Sequence, residues 1–349
     1  MTTKRRGIIS AGTWAHDRIK VVDTWPQEEH LAKIIATDMQ GGGSGHNLAV
    51  DIRRLDSTIP VDAIGLLGSD TDGDFLIAKA KEAGVNVAQL HQTDSDRTSF
   101  TDVMSDNNTG KRTFFHYTGT SDLLSPAHFD FDITHGKILH LGLLGVHKNM
   151  DSQWQDNEND RYENGWVAVL EAAKAKGIAT NLELVSIAEE QIQALALPCL
   201  PYLDSLIINE YELSALSGKA VTDENGVVNS ERCVLAANSL FDKGTLTLVV
   251  VHYPQAAIAV TNKGEVILRP SFNVHPSWIK SAVGAGDAFA AGMLYGIHEG
   301  WSHDASLELG HACAAASLRD STTVGSVESI SECMKFANSA HIENTSTKI

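Results

Sequence analysis

Short apolar runs of strand length alternate along this chain with stretches whose apolar residues recur at helical spacing. Gly7 to Gly12 reads as a strand, Gly45 to Leu55 as a helix with Leu48, Ile52 and Leu55 on one side, and Val61 to Leu67 as a second strand. Asp74 to Ala83 is predicted helical and closed by Gly84. Further on, Lys137 to Leu144, Gly177 to Leu184, Ser205 to Ile208 and Leu246 to Val251 are predicted buried strands, near helices at Trp166 to Lys176 and Ala188 to Leu197. A strand that is apolar on both faces must be covered on both faces. The pattern therefore predicts an α/β domain with a parallel sheet between helical layers.

One region departs from this alternation. Thr98 to Met104 and Arg112 to Tyr117 are β-rich runs around a polar turn, Ser105 to Gly110, and predict a hairpin. Together with Ile19 to Trp25 and Ala32 to Thr37 they supply a small accessory sheet projecting from the main domain, from about 16–40 and 97–118. The acidic, amide-rich segment His147 to Gly165 reads as an exposed insertion. A single domain is expected over 1–335, with 336–349 as a C-terminal tail that frays from about Asn338.

The formal charge of -17 argues against a nucleic-acid binder, which would concentrate Lys and Arg on one face. The longest apolar runs are too short to cross a bilayer. Lys4-Arg5-Arg6 is followed by no apolar core of a signal peptide, so a cytoplasmic location is expected. Cys199, Cys233, Cys313 and Cys333 are scattered without a C-x-x-C pair and are expected as buried free thiols.

The stretch Gly284-Ala285-Gly286-Asp287, followed by Ala288-Phe289-Ala290, reads as a glycine-rich turn opening a helix with a carboxylate in its first turn. Backbone N–H groups at a helix start attract anions, and glycine lets a phosphate approach the main chain. Asp287 could take the proton of a hydroxyl attacking that phosphate, and the helix field is expected to keep it ionised. A second glycine run, Gly41-Gly42-Gly43-Ser44-Gly45-His46-Asn47, also enters a helix, and Asn47 offers a donor and an acceptor to hydroxyls; a purely structural turn is the alternative. Asp17 follows the first strand, at the sheet end where ligands sit, either to grip hydroxyls or as a solvated loop acid. Asn209 and Glu212, three apart after the strand Leu206 to Ile208, either hold magnesium through water or cap the next helix. His298 and His303 are five apart and cannot converge on zinc, and Asp70 to Asp74 lacks the glycine position and closing Glu of a calcium loop.

Gly42 to Ala49 and Gly284 to Asp287 resemble the two signatures of the ribokinase-like (PfkB) carbohydrate kinases, in the right order and separation. Gly65 to Asp70, the Asn209 to Glu212 pair as an N-x-x-E motif, and Ala314 to Val327 extend the resemblance over about residues 7 to 335. It implies a ribokinase-like three-layer sandwich with a mostly parallel central sheet and a small β-sheet lid. The implied reaction is transfer of the ATP γ-phosphoryl group to a hydroxymethyl of a small sugar or related polyol. Asp287 then resembles the catalytic base, and the amides of Gly284, Ala285 and Gly286 the anion hole. Asp17, Gly42, Gly43 and Asn47 match sugar-contacting positions, with Phe100 and Arg112 on the lid. Asn209, His252, Tyr253, Ala314 and Ser317 fall on the nucleotide side, with Asn209 and Glu212 toward Mg2+. A monovalent cation such as K+ and a homodimer through the lid are further implications, with no nucleic acid or membrane as partner. A nucleoside or sugar-phosphate kinase of the same family, and a non-catalytic sugar sensor on this scaffold, are the alternatives.

The chain departs from the family pattern at three places. Ser281-Ala282 replaces Asp-Thr before the second signature, which is expected to weaken the order of that loop and any monovalent-cation site. Tyr253 and Ala256 replace the glycines of a T-x-G-x-x-G loop near the nucleotide phosphates. Ala15 stands where ribokinase has Asn, which points to an acceptor other than ribose.

Overall fold

The apolar runs pair into one central sheet in a computed structural model that describes residues 5–109, 111–156, 161–319 and 326–346. In chain order the elements are β1 (Ile8–Gly12), β2 (Ala15–Val22), β3 (Ile34–Gly42), α1 (Ser44–Leu55), β4 (Val61–Gly68), α2 (Thr71–Glu82), β5 (Asn86–Thr93), β6 (Phe100–Asp106), β7 (Arg112–Tyr117) and β8 (Ile138–Gly142). They continue with α3 (Lys148–Asp151), β9 (Trp154–Gln155), β10 (Arg161–Tyr162), α4 (Gly165–Ala175), β11 (Ala179–Leu182), α5 (Glu189–Ala196), β12 (Ser205–Asn209), α6 (Glu210–Ser217) and α7 (Ser230–Phe241). The last are β13 (Leu248–Tyr253), β14 (Ala256–Thr261), β15 (Val266–Pro270), α8 (Ala285–Glu299), α9 (His303–Ser317) and α10 (Ile330–Ser346).

The central sheet runs β15-β14-β13-β12-β11-β8-β1-β4-β5, parallel except for β14 and β15. Successive side chains on a strand point to opposite faces, so neighbours such as Ile8 and Ile9, or Val250 and Val249, enter different cores. One core joins the sheet to α1, α8, α9 and α10, and the other joins it to α4, α5, α6 and α7. The predicted three-layer α/β sandwich is the observed architecture. The order reverses at β1, whose neighbours are β8 on one side and β4 on the other. A crevice therefore opens beyond the carboxyl ends of these strands. Helix α8 is fixed against α9 by backbone contact: a Cβ added to Gly292 would sit 2.8 Å from Gly310 Cα, so neither glycine admits a side chain without parting the helices.

The accessory sheet forms as a separate four-stranded layer, β3-β2-β6-β7, with β2 and β6 parallel and the β6–β7 hairpin where the turn residues predict it. Its Gly110 lies outside the described residues, as do Lys4, 320–325 within the closing segment, and 347–349 of the tail. Two expectations need correction. The 147–165 segment, of which 157–160 lie outside the described residues, is not simply an exposed insertion: His147, Met150 and Asn164 are buried, and α3 and the β9–β10 ribbon fall within it. His147 Nε2 is 2.7 Å from Thr13 Oγ1 and Nδ1 is 2.7 Å from the Ser121 carbonyl oxygen, which explains the burial of so polar a residue. The boundary expected after 335 falls inside α10, which continues through Asn338 to Ser346, and Phe336, Ala337 and Ala340 on it are buried. Among the described residues, no helix is long and apolar enough to cross a membrane.

Candidate active site

Helix α8 begins at the mouth of the crevice, with Gly284 as its N-cap in the left-handed region at φ 82°. The Ala285 amide donates to the Ala282 carbonyl at 3.2 Å, so of the three amides expected as an anion cradle this one is engaged in the turn. Those of Gly286 and Asp287 belong to the first helical turn, where no intrahelical acceptor exists. The loop before the helix is braced despite its departure from the family pattern. Ser281 Oγ accepts the Val283 amide at 3.1 Å, and the Lys280 amide donates to the Leu318 carbonyl at 2.8 Å.

Asp287 meets the first glycine run directly. Asn47, in the first turn of α1, donates from Nδ2 to Asp287 Oδ2 at 2.6 Å. Glu183, the residue after β11, lies close enough for its carboxyl to act on that of Asp287. Burial, and next the Glu183 charge, push the Asp287 carboxyl up to about 8 against the opposing Asn47 hydrogen bond. Here the expectation of an ionised carboxylate is corrected: desolvation and a like charge outweigh the helix field. Burial likewise pushes Glu183 up to about 7.

Asp17 faces the same space from the lid. A Cβ on Gly42 would lie 2.3 Å from Asp17 Oδ2, so glycine is needed for the carboxylate to occupy its place. Burial raises Asp17 to about 6, opposed by a hydrogen bond from Thr101, with the Asp287 charge adding to the rise. Strand alternation decides which other lid residues share this face. Asp17 pairs with Thr101, which pairs with His116, and β7 then places Phe114 and Arg112 on the same side. Phe100 is one residue out of register with that set. It lies on the opposite face, stacked on Tyr117 at 5.2 Å and covered by the Arg18 guanidinium at 3.9 Å. Its expected sugar contact is therefore not supported, whereas Arg112 acts electrostatically on Asp17 as its position predicts.

On the other side of α8 a cavity of about 530 Å³ is lined by Asn209, His252, Tyr253, Gly286, Phe289 and Ala314, among others. The His252 ring packs on Phe289 with centroids 5.1 Å apart. Tyr253 and Ala256 are paired across a two-residue turn, so a tight β13–β14 hairpin replaces the glycine loop. Ser317 does not reach this cavity; it is buried, and its Oγ donates to the Ala314 carbonyl at 2.8 Å within α9. Asn209 and Glu212 form a reciprocal cap on α6. The Glu212 amide donates to Asn209 Oδ1 at 2.8 Å, and the Asn209 amide to Glu212 Oε2 at 3.1 Å. Ser186 Oγ donates to Glu212 Oε1 at 3.2 Å, so both carboxylate oxygens already accept hydrogen bonds. Among the described residues, no group of three or more His, Cys, Asp or Glu is arranged to hold a metal ion directly. Glu183 was missed from sequence; its signal was a lone charge interrupting an apolar strand.

The likeness to known proteins covers nearly the whole chain. It is 24% identical over 306 residues to 5-dehydro-2-deoxygluconokinase of Clostridium perfringens, covering 84% of this chain and 83% of that one. Mouse ketohexokinase is 22% identical over 308 residues, covering 88% of this chain and 94% of its own. In solved structures, Arabidopsis thaliana ribokinase complexed with ribose and ATP superposes with a TM-score of 0.77 at 18% identity, over 95% of this chain and 99% of that chain. The model of the pfkB family carbohydrate kinases matches residues 8–330. With a ribokinase-like fold, and with both signatures meeting at one crevice, the chain belongs to the pfkB family of carbohydrate kinases.

Proposed function

We propose that the protein transfers the γ-phosphoryl group of ATP to a hydroxymethyl of a small unphosphorylated sugar, with Asp287 as general base. The observation that carries this reading is the 2.6 Å hydrogen bond between Asn47 and Asp287. It joins the glycine run beside Asp17 to the helix whose first turn borders the 530 Å³ cavity. The acceptor would rest between Asp17, Gly42, Gly43 and Asn47, under the lid face that carries Thr101, Arg112, Phe114 and His116. ATP would occupy the cavity bounded by Asn209, His252, Tyr253 and Ala314. Phosphoryl transfer asks mainly for alignment, positive electrostatics at the γ-phosphate and a placed base. Asp287 takes the hydroxyl proton, and the first-turn amides of α8 stabilise charge on the transferring group. Closure of the lid excludes water as a competing acceptor.

Magnesium bound with ATP supplies charge neutralisation on the phosphate oxygens. Because Asn209 and Glu212 are committed to the cap, they fit coordination through water rather than direct ligation. A phosphorylated acceptor would call for several converging cations. Arg97 and Lys33 are exposed, and Arg97 lies toward Phe100 on the far face of the lid, which leaves Arg112 beside Asp17. That favours the unphosphorylated sugar. We also propose pairing of two copies through the lid, on whose strands Ile34, Ile35, Met39, Phe114 and Phe115 are exposed. A coupled ADP-release assay across sugars, sugar phosphates and nucleosides, with mass detection of product, tests the assignment. ADP release without a phosphorylated sugar, or a preference for an already phosphorylated acceptor, would overturn it.

A further inference from the structure

A polar row crosses the otherwise apolar sheet directly behind the site. Ser10, His140, Asn181 and Ser205 are cross-strand neighbours on β1, β8, β11 and β12, all buried, on the face that packs against α8. So many buried polar groups in one layer need a reason, since each must be hydrogen-bonded to be tolerated. Ser205 Oγ donates to Asn181 Oδ1 at 3.2 Å, which turns the Asn181 amide toward β8. Asn181 Nδ2 then donates to His140 Nδ1 at 3.0 Å. With Nδ1 an acceptor, the neutral imidazole carries its proton on Nε2, and Nε2 lies 2.7 Å from Glu183 Oε2. Glu183 in turn lies beside Asp287, near enough for the two carboxyls to share a hydrogen bond once one of them is protonated. Gly142 on β8 leaves the room: a Cβ there would meet Glu183 Cβ at 3.0 Å.

We propose that Glu183 is a positioning residue for phosphoryl transfer, sharing one proton with Asp287 and held in place by His140, whose tautomer Asn181 fixes. This rests on the reading of Asp287 as general base. Two contacting carboxyls cannot both ionise cheaply, so the pair keeps one proton and one negative charge. Without acceptor the shared proton rests on Asp287, whose carboxyl is raised further than that of Glu183. Seating the acceptor hydroxyl against Asp287 moves that proton to Glu183, which then hydrogen-bonds the ionised Asp287. The hydroxyl proton then moves to Asp287 as its oxygen bonds to phosphorus and the bond to the ADP oxygen breaks. The pair holds two protons after transfer, and one returns to water with product release. A doubly protonated pair has no base to offer. Burial lowers His140 to about 4, so it stays neutral through this cycle and donates without changing charge. The other charged groups near the pair are Asp17 from the lid, Glu212 from α6 and Asp51 from α1, all acidic and all favouring retention of the proton.

The test is the pH profile of kcat at saturating acceptor and ATP for the wild type and for Glu183→Gln, in which the amide keeps a donor toward Asp287 and an acceptor for His140. The acid limb marks the first ionisation of the pair, which protonated Glu183 assists by hydrogen-bonding the new carboxylate, while the like charge resists only the second. The weaker amide donor should therefore move the variant's acid limb to higher pH by about half a unit or more. In ¹⁵N spectra of the wild type, His140 should be neutral and protonated at Nε2 from pH 6 to 8. An unmoved acid limb, or a His140 protonated at Nδ1, would overturn the proposal. So would an unmoved limb with a raised magnesium requirement, which would assign Glu183 to the metal. Asp287→Asn separates the two claims: if it keeps turnover the base assignment fails, whereas an inactive Asp287→Asn beside an unmoved Glu183→Gln limb sinks only the pairing.

Discussion

Replacing Asp287 with Asn should stabilise the protein at alkaline pH while disabling it. Asn is isosteric, can still accept from Asn47 and can donate to Glu183, so packing and hydrogen bonding are kept and only the charge is lost. The folded carboxyl is raised from 3.8 to about 8, which sets the direction: wild-type stability is full below about pH 4 and declines as pH rises toward 8. Taken whole, that rise corresponds to a charge penalty of at most ~6 kcal/mol at pH 8. Partial exposure of Asp287, and the share that is the same interaction seen from Glu183, reduce the recoverable part to roughly 1–3 kcal/mol. For a chain of 349 residues this is a gain of about 1–4 °C in Tm. Scanning calorimetry of the ligand-free protein from pH 5 to 8.5 reads the effect. The difference between variant and wild type should grow with pH, and kcat should fall by at least ~100-fold with acceptor binding largely kept. A variant less stable than wild type at pH 8, or a difference independent of pH, would refute the claim that desolvation and Glu183 outweigh the helix field.

Four other outcomes are expected. Gly42→Ala places a methyl 2.3 Å from Asp17 Oδ2 and should raise the acceptor KM at least ~10-fold while leaving the KM for ATP nearly unchanged; steady-state kinetics in both substrates decide it. Because Asp17 is raised to about 6, the acceptor KM should climb below that pH, and Asp17→Asn should flatten the dependence at a high KM. Glu212→Ala removes one half of the α6 cap and should cost about 1 kcal/mol in urea unfolding and increase the magnesium needed for half-maximal rate. Phe289→Ala empties a nearly fully buried site between His252 and His311 and should cost about 3–5 kcal/mol, with weaker nucleotide binding by calorimetry.

The layers of the fold were legible because apolar period alone separates strands covered on both faces from helices covered on one. Val249 and Val250 fill different cores for that reason, and the sheet follows from repeating it. Asp287, Asn47 and Gly42 were legible because a glycine run entering a helix has local chemical meaning. Other features depended on tertiary information that no local pattern carries. Phe100 was misplaced because a register of one residue decides which face of the lid a side chain takes. The charge of Asp287 depends on its burial in the folded crevice, and next on Glu183, far away in sequence, neither of which a local pattern carries. Ser317 lay close to the cavity in sequence, yet its hydroxyl turns back to its own helix. The span of α10 was not legible because a polar helix resembles a tail in sequence, and only its tertiary contacts bury Phe336, Ala337 and Ala340.

The lid and the main sheet have no strand in common, and β3 reaches α1 through the glycines beside Asp17. Changes that suit a new acceptor can therefore fall on β2, β6 and β7 without altering α8, which carries the proposed base, or the cavity proposed for the nucleotide. Grafting those three strands from a relative with another sugar preference should exchange substrate choice while sparing the chemistry. The architecture amounts to an interchangeable reader mounted on a fixed engine.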